Sequence, residues 1–215
     1  SQRRFTADAS HELRTPLTAI RTELEVALRS GKTAPEEYRR VMGSTLEEVQ
    51  RLQSLSTRLL RLAQHDGPLE TTFSTVSLAD VWADTVRLVR AEADKKNIAI
   101  EVPAVEAAVL GNHDSFVELF VILLDNAIKY SPAKTSIRLE AKQANDKIHL
   151  TVADQGAGIS EQDLPHVFER FFRADTSRSS NKASGYGLGL PIAQQIVQRY
   201  NGSISLTSTL GQGTT

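Results

Sequence analysis

Cysteine is absent from the 215 residues, which excludes a disulfide framework and any thiolate metal site. Nothing then speaks for an oxidising compartment, and a cytoplasmic setting fits. Neither sign of charge dominates: 25 Lys and Arg stand against 26 Asp and Glu, and the positive charges are scattered. The electrostatic footprint of a nucleic-acid binder is missing, so no nucleic-acid partner is expected. No run of 18 apolar residues occurs, and Ser1-Gln2-Arg3-Arg4 leads into a helical pattern without a signal-peptide core. The stretch itself is expected to be soluble.

What is present is an ordinary globular composition, 40% apolar and 24% charged. The length exceeds one typical domain, so two domains are expected. Both ends read as cut. The first helix begins without a cap, and Gly211-Gln212-Gly213-Thr214-Thr215 resembles a turn entering a strand, so the C-terminal strand is expected to be truncated.

From Phe5 to Leu28, the residues Leu13, Leu17, Ile20, Leu24 and Leu28 step by three or four, the seam of a packed helix. Arg29 to Pro35 breaks the pattern, with Thr33 and Glu36 spaced as a capping box. A second stripe, Val41 or Met42, then Leu46, Val49, Leu52, Leu55, Leu59 and Leu62, runs to about Gln64, and His65-Asp66-Gly67-Pro68 ends it. Two helices cannot bury such stripes alone. Pairing two hairpins into a four-helix bundle buries them, so residues 1–66 are expected to dimerise. The plain alternative is a hairpin packed on its own second domain.

Beyond Pro68, strand alternation is expected at Ile98–Val102, Ile137–Leu139, Ile148–Val152 and Ile204–Leu206, with a hairpin turn at Asn145-Asp146-Lys147. Helices are expected over Leu78–Lys96, Phe116–Tyr130 and Leu188–Tyr200. Residues 67–215 therefore read as an α+β sandwich of one mixed sheet and a helical layer. Ser177 to Ser184 has the composition of a loop.

Four strings carry chemistry. His11 lies two residues before Leu13, about 200° around the helix from it, so its imidazole projects away from the seam. An exposed neutral imidazole is a competent nucleophile, Glu12 can take or orient its proton, and Thr15 shares its face. Pro16 removes the amide that would bond the Glu12 carbonyl, so a bend is expected there. On the Phe116–Tyr130 helix, Phe116, Phe120, Leu123, Leu124 and Ala127 form the buried face, and Asn126 and Lys129 adjoin it. An amide oxygen suits Mg²⁺ held jointly with phosphates, and a lysine suits the phosphates themselves. Asp154-Gln155-Gly156-Ala157-Gly158-Ile159 follows a strand, and its carboxylate can accept from an adenine amino group. Gly185-Tyr186-Gly187-Leu188-Gly189-Leu190 opens a helix, whose N-terminal amides attract phosphate.

Phe5-Thr6-Ala7-Asp8-Ala9-Ser10-His11-Glu12-Leu13-Arg14-Thr15-Pro16-Leu17 closely resembles the phosphoacceptor motif of sensor histidine kinases. Asn126-Ala127-Ile128-Lys129-Tyr130-Ser131-Pro132 resembles their Asn-containing helix, and Val167-Phe168-Glu169-Arg170-Phe171-Phe172-Arg173 their Phe-rich segment. The order of strings from Asn126 through Asp154 to Gly189 is similar to the ATP-binding fold shared with gyrase and Hsp90. The resemblance implies a dimerisation and histidine phosphotransfer domain over 1–66 and a catalytic domain over 67–215. It implies His11 as acceptor, Glu12 as base, Thr15 supporting phosphate removal from the partner, and Arg173 on the γ-phosphate. For ATP and Mg²⁺ it implies Asn126 (also the metal ligand), Lys129, Tyr130 and Asp154, with Gly156, Gly158, Ile159, Phe168, Gly185, Gly187, Leu188 and Gly189 around the nucleotide. The plain alternative places Phe168 and Phe172 in the core.

A homodimer acting on the receiver domain of a response regulator follows from the resemblance. So does a cytoplasmic fragment of a protein anchored in the bacterial inner or plasma membrane through segments outside this stretch. One departure stands out: the family usually has Asn one turn before Asn126, where this chain has Ile122. That gives weight to an alternative function, a nucleotide-gated scaffold or phosphatase with weak kinase activity. His65, His113, His149 and His166 lack metal-ligand spacing and are read as structural.

Overall fold

The computed structural model describes residues 2–29, 34–65, 73–145, 147–174 and 185–215. The chain divides into two compact units, residues 1–64 and 65–215. Thr33, the linker string at 66–68, Asp146 and the loop at 177–184 lie outside the described residues.

The first unit is a hairpin of α1 (Gln2–Arg29) and α2 (Pro35–His65). Pro16 sits inside α1, which continues through it as helix. Around the missing amide, the hydroxyls of Thr15, Thr18 and Thr22 donate to the carbonyls of His11, Arg14 and Thr18 at 3.3, 2.8 and 2.9 Å. The helices are tied by Ser44 Oγ on Glu23 and by the Tyr38 hydroxyl on the Ala27 carbonyl.

The expected seam is only partly covered in one chain. Leu55 and Leu62 are buried, whereas Leu17, Leu28, Met42 and Leu46 are 54%, 78%, 68% and 58% exposed. On α1 the buried residues are instead Pro16 and Ala27.

The second unit contains β1 (Ser74–Ser77), α3 (Leu78–Lys95), β2 (Ala99–Glu101), β3 (Ala108–Gly111), α4 (His113–Tyr130), β4 (Ser136–Ala144), β5 (Lys147–Ala153), a 3₁₀ turn (Leu164–His166), α5 (Gly189–Arg199), β6 (Ser208–Thr209) and β7 (Gly213–Thr214). Ser77 Oγ caps α3 through the Asp80 N–H, and Asn112 Oδ1 caps α4 through the Ser115 N–H. That cap starts α4 one turn before the expected Phe116.

Three ladders stand where one mixed sheet was expected: β1 with β3, β2-β4-β5, and β6 with β7. The central one is mixed, with β2 parallel to β4 and β4 antiparallel to β5. The predicted strand at Ile204–Leu206 forms no ladder, and pairing begins only at Ser208. The terminal Gly213-Thr214 is itself a strand, folded back on Ser208-Thr209.

The core gathers between the sheet and α3, α4 and α5. Trp82 meets Phe120 edge to face at 6.0 Å, and Leu124, Ile137, Leu139, Leu188 and Ile192 are essentially inaccessible. Each such side chain contributes about 1.5–3 kcal/mol of burial. The buried face of α4 is Phe116, Leu119, Phe120, Leu124, Ala127 and Ile128. Leu123, expected there, is only half-buried.

Candidate active site

His11 and Glu12 are both exposed on α1, away from the half-buried Leu13. The side chain of Thr15 lies one turn on, and its hydroxyl reaches the His11 carbonyl. This backbone bond uses the Thr15 proton and leaves its oxygen free to accept.

In the second unit, the C-terminal half of α4 presents Ile122, Asn126 and Lys129, all half-buried, and Tyr130, 40% exposed. The Lys129 ammonium lies 5.1 Å from the Tyr130 ring centroid. It also reaches the glycine-rich segment: a Cβ on Gly185 would stand 2.5 Å from Lys129 Nζ. A lysine of α4 and the segment opening α5 thus share one place.

The loop after β5 is held from three sides. Asp154 Oδ1 accepts from the N–H groups of Gly156 (2.7 Å) and Thr214 (3.2 Å), while the Asp154 N–H donates to the Thr214 carbonyl at 2.8 Å. These bonds engage one carboxylate oxygen and leave Oδ2 for a further donor. Burial pushes the Asp154 carboxyl above its ordinary value, and the two N–H donors pull partly the other way.

Gly156 has no room for a side chain, since a Cβ would lie 2.7 Å from Asp154 Oδ1 and 2.9 Å from the Tyr130 carbonyl oxygen. Gly158, at φ +67, packs on the Thr209 carbonyl, and Gly213, at φ +113, on the Asp154 carbonyl. The Ile159 N–H donates to Ser208 Oγ at 2.9 Å, and that hydroxyl also meets the Gly213 carbonyl and Thr214 Oγ1.

The Phe-rich segment meets the glycine-rich one through backbone. Phe171, with φ 65, donates its N–H to the Gly187 carbonyl at 3.0 Å, and Gly187, with φ +65, packs on the backbone of Phe171 and Phe172. Phe168 and Phe172 are half-buried, so the core residue of this segment is Val167 rather than either phenylalanine. Arg173 is half-buried just ahead of residue 175. Leu188 is fully buried, so only its backbone can face a ligand. No described side chain caps α5, whose first amides remain available to an anion.

Ser208 and Thr214 are participants in this loop network that the sequence reading missed. The Gly211–Gly213 pair was a visible turn signal, but nothing local says that this turn folds onto Asp154.

Residues 111–215 match the family of histidine kinase-, DNA gyrase B- and HSP90-like ATPases, and residues 1–68 match the His Kinase A (phospho-acceptor) domain. The chain is 37% identical over 213 residues to the sensor histidine kinase YkoH of Bacillus subtilis, covering 99% of this chain and 46% of that protein. It is 34% identical over 215 residues to the signal transduction histidine-protein kinase ArlS of Staphylococcus aureus, covering 100% and 48%. The chain therefore spans about half the length of these curated relatives.

Among solved structures, the mycobacterial sensor histidine kinase MprB is 30% identical at a TM-score of 0.57, covering 66% of this chain and 93% of that one. The Acinetobacter baumannii histidine kinase AdeS shares the fold at a TM-score of 0.75 and 23% identity, covering 95% and 94%. The histidine kinase ThkA, solved in complex with the response regulator protein TrrA, does so at 0.77 and 20%, covering 98% and 59%. With a phosphoacceptor match on the helical unit and an ATPase match on the α+β unit, in that order, the chain belongs to the sensor histidine kinases of bacterial two-component systems.

Proposed function

We propose that this chain phosphorylates itself on His11 at the expense of ATP and passes the phosphoryl group to an aspartate of a response regulator receiver domain. In this reading residues 1–66 dimerise and carry the acceptor, and residues 67–215 bind the nucleotide. The observation that carries it is the meeting of Lys129 with Gly185 beside a loop that holds one oxygen of Asp154 and leaves the other free. Asp154 accepts from the adenine amino group, Tyr130 packs on the base, and Lys129 and the first amides of α5 take the phosphates. Gly156, Gly158, Ile159 and Gly187 let the backbone approach closely, and Arg173 steadies the γ-phosphate.

Mg²⁺ fits this donor set only together with phosphate. Among the described residues no three His, Cys, Asp or Glu side chains converge as a metal site; Asn126 would hold the ion through its amide oxygen, together with the phosphates of the nucleotide. The ion supplies charge screening for the triphosphate.

In the transfer, an imidazole nitrogen of His11 attacks the γ-phosphorus. An N–P bond forms, the bridging O–P bond breaks, ADP leaves with the electron pair, and the ring proton passes to Glu12. Catalysis is chiefly positioning and charge stabilisation. The exposed leucines of α1 and the exposed Met42 and Leu46 of α2 support a homodimer, since a second hairpin would cover them. The complex of ThkA with a response regulator supports the partner. Among the described residues no helix is long and apolar enough to cross a membrane.

Incubation with γ-labelled ATP tests the reading. The wild-type chain takes up acid-labile label and His11→Gln takes up none, while both bind a non-hydrolysable ATP analogue alike. Label on His11→Gln, or loss of nucleotide binding in that variant, overturns it. Ile122, half-buried one turn before Asn126, favours a second reading, a nucleotide-gated scaffold or phosphatase. A wild-type chain that binds the analogue, takes up no label and dephosphorylates a phospho-regulator would establish that instead.

A further inference from the structure

The last turn of a helix leaves carbonyls without intrahelical donors, and the negative end of its dipole lies there. At the end of α4 these carbonyls are met by a side chain from another helix. Lys96, the C-cap of α3, donates from its ammonium to the carbonyls of Ile128 (2.7 Å), Lys129 (2.8 Å) and Ser131 (3.1 Å). Three donors meet three acceptors, so the ammonium is saturated. Its backbone is engaged as well. The Lys96 carbonyl accepts the Lys134 N–H at 3.0 Å, Asn97 turns the chain at φ 53, and the Ala99 N–H donates to the Thr135 carbonyl at 3.0 Å.

One carbonyl in that run is left out of the ammonium's reach and is used elsewhere. The Tyr130 oxygen accepts the Ala157 N–H at 3.2 Å and stands 2.9 Å from where a Gly156 Cβ would be. The run 128–131 is therefore held by Lys96 through three of its carbonyls and meets the Asp154 loop through the fourth.

We propose that Lys96 is a positioning residue for the nucleotide: by fixing the end of α4, it fixes the Tyr130 carbonyl that anchors the 154–157 loop, and so aims Asp154. This rests on the nucleotide-binding reading of the site. Lys96 touches no ligand itself. Its neighbour Lys95, paired with Glu92 on the surface at 2.6 Å, has no such role.

The test uses the full 215-residue chain with Lys96→Met, Lys96→Gln, Lys95→Met and Val76→Ala. The last is a buried residue of β1 that supplies a matched loss of stability. Two quantities are read: affinity for a non-hydrolysable ATP analogue, and amide hydrogen exchange at Ala157. Lys96→Met should weaken affinity about tenfold, the scale of one misplaced buried hydrogen-bonding group, and accelerate Ala157 exchange. Lys96→Gln, which keeps one donor group, should fall between it and wild type, and Lys95→Met and Val76→Ala should leave both quantities near wild type.

If Lys96→Met lowers the melting temperature as Val76→Ala does but leaves both readouts unchanged, Lys96 is a helix cap only and the proposal fails. If Lys96→Met does not fold, Lys96→Gln decides by the same two readouts. A wild-type chain that binds no analogue would sink the nucleotide reading, and Ala157 exchange alone would then decide whether Lys96 positions the loop.

Discussion

At the scale of single residues, Asp154 separates stability from function. Burial holds its folded-state carboxyl above the unfolded value, so the folded unit binds the proton more tightly. That contribution to stability is complete below the unfolded pKa and is lost as pH rises through the folded one. At neutral pH the ionised side chain is a cost that the protein carries. Asp154→Asn should therefore melt no lower than wild type at pH 7 without nucleotide, and any gain should shrink as pH falls and the native carboxyl regains its proton. The same variant should lose roughly tenfold to a hundredfold in affinity for an ATP analogue, because its one oxygen stays with the Gly156 and Thr214 N–H groups and its NH2 then faces the adenine amino donor. Melting curves against pH and a nucleotide titration check both. Unchanged affinity would remove Asp154 from the pocket.

Ile122 makes the opposite kind of residue prediction. It is half-buried beside Asn126 and outside the buried face of α4, so Ile122→Asn sacrifices little packing. If the restored amide acts mainly on the transition state, His11 phosphorylation should accelerate by about tenfold while analogue affinity changes less. A slower variant would mean that Ile122 packs usefully. Roles for His11, Asn126 and Asp154 could be proposed from the sequence because each sits inside a contiguous string whose chemistry is local. Those of Lys96 and Ser208 could not, because the partners of these two lie 32 and 49 residues away in sequence, and a lone lysine or serine carries no local sign of what it will cap.

At the scale of elements, the helices were legible and the sheet was less so. The 3.6-residue stepping of Leu13 to Leu28 and of Leu46 to Leu62 announces α1 and α2, and Ser77 and Asn112 are ordinary caps. The start of α4 was misplaced because His113-Asp114-Ser115 is polar and only the Asn112 cap reveals the turn. Strands β1 and β3 went unseen, since four-residue segments carry too few alternations to register. Ile204–Leu206 erred the other way: its alternation is real, with Ile204 and Leu206 half-buried between exposed neighbours, but it lies in no ladder. Period-two patterning reports a face, and pairing is a separate condition.

The hairpin carries its own prediction. With Leu17, Leu28, Met42 and Leu46 each more than half exposed, residues 1–66 expressed alone should sediment as a helical dimer, and residues 67–215 as a monomer. A monomeric hairpin would count against the four-helix bundle.

Over the whole molecule, the two-part organisation was visible in the change of texture near Pro68, and the division into two compact units falls at residues 64 and 65. What the sequence could not convey is how the second unit joins the end of α4 to its C-terminal hairpin. Three segments far apart in the chain, the end of α4, the loop after β5 and the β6–β7 hairpin, meet through the Ala157 N–H on the Tyr130 carbonyl and the Asp154 N–H on the Thr214 carbonyl, backbone groups that carry no sequence signature.

The interlock of Gly158 with Thr209 and of Gly213 with Asp154 has a consequence in the language of alleles. Gly158→Ala or Gly213→Ala should push the backbone of Thr209 or Asp154 aside and so disrupt the proposed nucleotide site, yet leave the first unit able to pair. If the hairpins pair as proposed, a cell carrying both copies would assemble mixed dimers that each keep one intact site, so the wild-type copy alone would set the number of intact sites and the variant should be recessive rather than dominant negative. Co-expression with the wild-type gene, scored by phosphorylated regulator, measures this: output should match that of the wild-type copy alone, whereas a fall below it would mean that a dimer needs both sites.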